Sequence, residues 1–217
     1  MSAVPSAGDD AGALERILVG RRMCRDFEPT EVPEGTAERL VDAATRAPSA
    51  GNTAALDIVA LEGDRTAVYW DLTLPVGRRA KFAWPGLLAA PLLLVPYVDP
   101  AAYVSRYGES DKERTGLGSG EDAWPVPYWF VDGGAAVMAM LLAAEALGLG
   151  ALFFGQFGHE AAVSGALGVP DGHRALGTLA VGVARDGGRH RSGSAQRGRP
   201  DPAAVLRRGR WSSAPPN

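Results

Sequence analysis

Hydrophobic positions recur along this chain in two rhythms, one helical and one extended. Ala13 to Val19 (ALERILV) puts apolar side chains on one side of a short helix that stops near Gly20. Pro33 suits a first helical turn, and Leu40, Val41 and Ala44 then mark the apolar face of a second helix ending before Pro48. Leu56 to Leu61 (LDIVAL) reads as a strand. So does Pro91 to Val98 (PLLLVPYV), whose nearly unbroken apolar run predicts burial on both faces. Phe130 to Leu147 is the longest apolar helix candidate and reads as a central buried or subunit-facing helix, closed by Gly148-Leu149-Gly150. Ala151 to Phe157 follows as a strand or extended turn. A short helix is expected near His159 to Leu167, and a last core strand over Leu176 to Ala184.

Residues 99–129 break both rhythms. They are polar and irregular, with Gly116-Leu117-Gly118-Ser119-Gly120 inside, and read as a lid or insertion. Their aromatic residues (Tyr103, Tyr107, Trp124, Tyr128 and Trp129) suit two roles equally. They could lid a site and stack on planar substrates, or plug a subunit interface. Residues 1–12 are expected as a flexible lead, 13–206 as one domain and 207–217 as a tail.

Composition narrows the function. The chain has 217 residues, 46% hydrophobic and 22% charged, which is an ordinary globular balance. A net charge of -3 without a broad basic face predicts no nucleic-acid partner. The one cysteine, Cys24, rules out an intrachain disulfide framework and suits a cytoplasmic setting. No membrane span is expected. The one candidate, Phe130 to Leu147, falls short of the roughly 20 apolar residues a span needs and carries Asp132 and Glu145.

The chemistry concentrates between Gly20 and Thr53. Arg21, Arg22 and Arg25 precede Phe27, and Ala47-Pro48-Ser49-Ala50-Gly51-Asn52-Thr53 follows about one helix later. Arginine forks match phosphate oxygens, and a small polar turn offers backbone N–H groups, a hydroxyl and an amide. Arg197 and Arg199 would share one face of an extended segment and could converge on the same phosphate. Other chemistries lack their residues. His159, His173 and His190 have no metal-ligand spacing, so no metal is expected. Cys24 has no histidine near it in sequence, and no phosphate-cradling Gly-Lys-Ser/Thr follows Gly116 to Gly120. An anion frame with little acid–base chemistry suits an enzyme whose cofactor carries the reaction.

At this point the residues resemble the FMN-dependent nitroreductase family. Gly20 to Phe27 resembles the family's N-terminal basic segment, and Ala47 to Thr53 its Ala-Pro-Ser-x-x-Asn loop. Ala143 to Gly150 resembles the end of its long central helix. The last strand with Arg197-Gly198-Arg199-Pro200 resembles its closing strand and basic pair. The resemblance implies an α+β, three-layer fold, with a mixed, mostly antiparallel sheet between helices, in an intertwined homodimer. It implies FMN, with NADH or NADPH as electron donor. The second substrate would be a small planar nitroaromatic, quinone or activated alkene. Arg21, Arg197 and Arg199 would hold the FMN phosphate. Arg25 would sit at the pyrimidine end of the ring, where positive charge suits the negative charge gained on reduction. Pro48, Ser49, Ala50 and Asn52 would line the flavin from the partner subunit. Gly155 and Gln156 would present backbone N–H groups to the reactive flavin nitrogen.

Three departures stand out. Met23 replaces the usual serine, Ala54-Ala55-Leu56 replaces Gln-Pro-Trp, and the family's middle lysine and asparagine have only Lys81 or Arg79 as candidates. Two other functions stay open: specialised chemistry on the same fold (dehydrogenation, dehalogenation or flavin cleavage), and flavin binding without catalysis.

Overall fold

A computed structural model describes residues 7–188 and 197–211. The helices are α1 (Ala7–Gly20), α2 (Thr36–Thr45), α3 (Thr66–Thr73), α4 (Val76–Arg79), α5 (Pro100–Tyr107), α6 (Tyr128–Ala146), α7 (Glu160–Ala166) and α8 (Pro202–Val205). The strands are β1 (Leu56–Glu62), β2 (Leu92–Val98), β3 (Gly150–Phe154), β4 (Arg174–Ala175) and β5 (Thr178–Gly182).

The sheet order is β1-β2-β5-β3, with β4 added to the far end of β2, and every one of these pairings is antiparallel. A parallel bridge between Met23 and Ala151 brings the N-terminal segment to the free side of β3 and makes the sheet mixed. All seven residues of β2 are buried, as its apolar run predicts. Alternation splits them between two cores. Leu92 and Leu94 face α2 and α6 together with Leu40, Met140, Leu179 and Val181. Leu93, Val95 and Tyr97 face the opposite layer with Tyr69, Trp70, Leu152 and Val163. The result is an α+β fold of three layers, helices on both faces of one sheet. Pro96 has no N–H to give, and it stands in the gap between the β5 register (Leu92–Leu94) and the β4 register (Tyr97–Val98).

Two segments differ from the sequence expectation. The supposed lead is helical from Ala7, so α1 begins six residues earlier than expected; Asp9 and Asp10 in its first turn favour the positive end of the helix dipole. Residues 1–6 and 212–217 lie outside the described residues. The 99–129 segment is not irregular throughout. Asp99 accepts from the Ala101 N–H at 2.9 Å and Pro100 occupies the first turn, a start signal that opens α5. Within this protomer its aromatic residues form a third small core. Tyr103, Trp124 and Trp129 are buried against each other at ring separations of 5.8–6.1 Å. Helix α6 is long and apolar enough to cross a membrane by length and composition. It packs one face on α2, β2 and β3.

Leu94 is fully buried at the centre of the sheet. Leu94→Ala should destabilise the fold by about 2–5 kcal/mol, read by chemical denaturation with an unchanged m-value.

Candidate active site

The basic segment leaves α1 as extended chain. Cys24 N–H donates to the Ala151 carbonyl and Glu28 N–H to the Val183 carbonyl, each at 2.9 Å. Cys24 and Phe27 are fully buried, which anchors the segment and turns Arg25 outward. The approach is close: a Cβ on Gly150 would lie 2.9 Å from Cys24 Sγ, and one on Gly86 would lie 1.9 Å from Asp26 Oδ1. Burial also removes Cys24 as an accessible nucleophile, and its thiol donates to the Asp26 carbonyl at 3.1 Å.

Arg25 lines a cavity of about 620 Å³ together with Gly155 and Gln156, so the structure brings these three expected residues together. Its guanidinium lies over the Trp84 ring, 5.3 Å from the centroid. Tyr69, Trp70, Phe82, Trp84, Phe154 and Phe157 supply the aromatic walls. Trp70 and Phe154 are nearly parallel, 4° apart, with centroids separated by 6.0 Å. Among the described residues no acidic side chain lines the cavity. Phe157 holds a φ of +46°, unusual for a bulky residue, and is 85% exposed.

Behind these walls Gln156 Nε2 donates to Thr178 Oγ1 at 3.4 Å, and the Thr178 hydroxyl donates to the Tyr69 phenol oxygen at 3.0 Å. Burial pushes the Tyr69 phenol up to about 12, against the opposing effect of the Thr178 hydrogen bond.

The remaining expected residues lie elsewhere. Among the described residues Arg21 Nη1 is buried without a hydrogen-bond partner. An orphaned guanidinium nitrogen of this kind suits an anionic ligand. Arg22 donates to the Val19 and Arg21 carbonyls and closes the end of α1. Arg197 and Arg199 are exposed and line no part of the Arg25 cavity. Pro48 and Ser49 line a separate small cavity with Tyr103 and Asp132. Within one protomer, then, the Pro48–Asn52 loop and the Arg25 cavity are distinct.

Several sequence expectations are corrected. The loop was expected to offer its backbone N–H groups, but Ala50 N–H is spent on Asp132 Oδ2 at 2.7 Å, and Asn52 N–H on the Ser49 carbonyl at 2.9 Å. Arg79, one candidate for the family's lysine, is committed to Asp71 at 2.6 Å and to the Leu74 carbonyl at 3.0 Å. Lys81, the other candidate, lines a neighbouring cleft with Arg78 and Phe82. Met23 packs against both main cores, trading the family's hydroxyl for apolar contact. No residue of the 99–129 segment lines the Arg25 cavity. The aromatic walls come from α3, the turn before β2, and β3 with the turn after it; Tyr69, Trp70 and Trp84 were missed in the sequence, where the Tyr69-Trp70 pair was the available signal.

The chain belongs to the nitroreductase family, whose model matches residues 18–183. Among solved structures it is similar to the NfrA1 nitroreductase of B. subtilis, at 19% identity over 93% of this chain and 76% of that one, with a TM-score of 0.70. A protein of Desulfovibrio desulfuricans assigned as a nitroreductase and solved in complex with FMN is 20% identical over 92% and 98% of the two chains, TM-score 0.64. An FMN-dependent nitroreductase of Clostridium difficile is 19% identical over 77% and 86%, TM-score 0.56. No curated protein matches the chain.

The raised phenol pKa has a signed consequence. Folding favours the neutral Tyr69 phenol, so the stability it carries is complete below pH 10 and declines as pH rises from about 10 to about 12. Tyr69→Phe should therefore lose less stability over that interval than the parent. Denaturation midpoints on either side of it provide the check.

Proposed function

We propose that this chain is an FMN-dependent oxidoreductase that takes reducing equivalents from NADH or NADPH. It passes them to a small planar acceptor such as a nitroaromatic, quinone or activated alkene. The observation that carries this reading is the convergence of Arg25, Gly155 and Gln156 on one aromatic cavity. The residues present fit the cofactor: an unpaired buried guanidinium nitrogen on Arg21 for an anion, and aromatic walls for a planar ring.

When bound, FMN supplies the electron-transfer chemistry. The chain supplies the frame. Arg21 binds the phosphate, with Arg197 and Arg199 closing on it. Arg25, steadied by Trp84, places its charge at the pyrimidine end of the ring. Gly155 and Gln156 offer backbone N–H groups, which need no titrating side chain. The aromatic walls exclude water and orient flat substrates. Ser49 and Asn52 complete the pocket of a partner subunit. Because Ala50 N–H is already spent, the Ser49 hydroxyl and the Asn52 amide carry the polar contacts of that loop.

A homodimer accounts for the exposed apolar faces. Leu14 and Leu18 on α1, and Tyr128, Val131 and Met138 on α6, are all exposed in the protomer. Exposed apolar side chains grouped on helices suit an interaction site. The proposed setting is the cytoplasm.

The purified protein should be yellow or turn so on FMN addition, and should then oxidise NADH or NADPH in the presence of a quinone. A protein that takes up no flavin sinks the reading. Arg25→Ala should retain FMN while lowering turnover roughly 100-fold, measured by steady-state oxidation of the nicotinamide nucleotide. Light scattering should give twice the 22.6 kDa chain mass, and a Val131→Asp/Met138→Asp variant should shift toward the single-chain value.

A further inference from the structure

The aromatic 99–129 segment and Asp132 take no part in the Arg25 cavity, yet both grip the Pro48–Thr53 loop. Asp132 Oδ2 accepts from the Ala50 N–H at 2.7 Å and from the Tyr103 hydroxyl at 2.9 Å. Tyr103 is held edge-on by the buried Trp124 and Trp129 rings. From the other side, Arg106 Nε donates to the Gly51 carbonyl at 2.9 Å. The Arg106 guanidinium is itself clamped by both Asp111 oxygens, at 2.7 and 2.8 Å, and by Glu109 at 2.9 Å.

The loop requires such a grip. Asn52 and Ala54 both hold left-handed backbone, at φ +55° and +51°. Non-glycine residues keep such angles only where the surroundings over-determine them. The local side-chain contacts are Ala54 N–H to Ser49 Oγ at 2.9 Å and Thr53 Oγ1 to the Ala50 carbonyl at 2.6 Å. Neither reaches outside the loop; Ala50 packs on the aromatic cluster, and the side-chain hydrogen bonds that tie the loop to the body of the protein come from Asp132 and Arg106.

We propose that Asp132 and Arg106 are positioning residues that hold the Pro48–Thr53 loop in the conformation presenting Ser49 and Asn52 to FMN. This rests on the flavin reading above. Neither residue touches the cofactor. Asp132 acts through Ala50 and Arg106 through Gly51. The 99–129 segment is then part of the loop's support. Its aromatic core fixes Tyr103, and α5 carries Arg106 to the loop.

The test compares Asp132→Ala, Asp132→Asn and Arg106→Ala with the parent, using FMN titration and amide hydrogen exchange of the flavin-free protein. Removing the charged acceptor should raise the FMN dissociation constant tenfold or more. It should also speed exchange of the Ala50 amide by at least tenfold while the amides of β2 keep their protection. Asp132→Asn retains an oxygen for the Ala50 N–H and should recover most of both effects, which a general loss of packing would not allow. Arg106→Ala, at a more exposed site, should move the same two readouts with the Asp132 contacts intact, and it decides the matter if Asp132→Ala does not fold. Folded variants that bind FMN as the parent does overturn the proposal. A parent that takes up no FMN overturns the flavin reading instead, and the exchange of Ala50 then still shows whether the brace exists.

Discussion

Cys24 N–H donates to the Ala151 carbonyl, and four residues later Glu28 N–H donates to the Val183 carbonyl. These bonds fix the N-terminal segment to the β3 edge at one end and to the chain leaving β5 at the other. With Cys24 and Phe27 sunk into the core, Arg25 must leave on the cavity side, beside the turn that follows β3. The segment also covers an otherwise open strand edge, which would leave unpaired N–H and C=O groups. One stretch of chain thus pairs with the β3 edge and loads the cavity with its cation.

The two halves of the proposed flavin site obey different physics. The Arg25 side is built on regular structure: a strand edge, the end of β3 and helix α3 packed through Tyr69 and Trp70. Precision there comes from close packing, as the space around Gly150 and Gly86 shows. The Pro48–Asn52 side is a strained loop, and its precision comes from buried polar contacts to Asp132 and Arg106. A loop that spends its backbone donors internally keeps its shape without a ligand. Preorganisation of that kind lowers the ordering cost of binding.

The departures from the family pattern find physical counterparts. Met23 serves both cores instead of offering a hydroxyl. Trp84, not a lysine, stands next to Arg25 and steadies it through its ring face.

Much of this architecture was legible in the residues themselves. The unbroken run of β2, the long apolar α6 and the small apolar residues of β5 announce buried elements because burial on both faces demands side chains without charge. The arginines near Gly20 and the Pro48–Thr53 loop marked the candidate site because anion recognition uses few residue types. Helix α5 was signalled by Asp99-Pro100 and yet overlooked, since its polar surroundings carry no apolar period. Other features were outside the reach of any local pattern. That Arg79 is spoken for by Asp71, that Ala50 N–H is consumed by Asp132 from 82 residues away, and that Tyr69 and Trp70 wall the cavity are facts of contact between distant segments. Sequence by itself determined which stretches are buried and which residues could hold an anion, because those follow from side-chain chemistry and period. Only the tertiary structure decided which donors remain available and which side chains share a cavity, because hydrogen bonds are spent on whichever partner the fold brings within 3 Å.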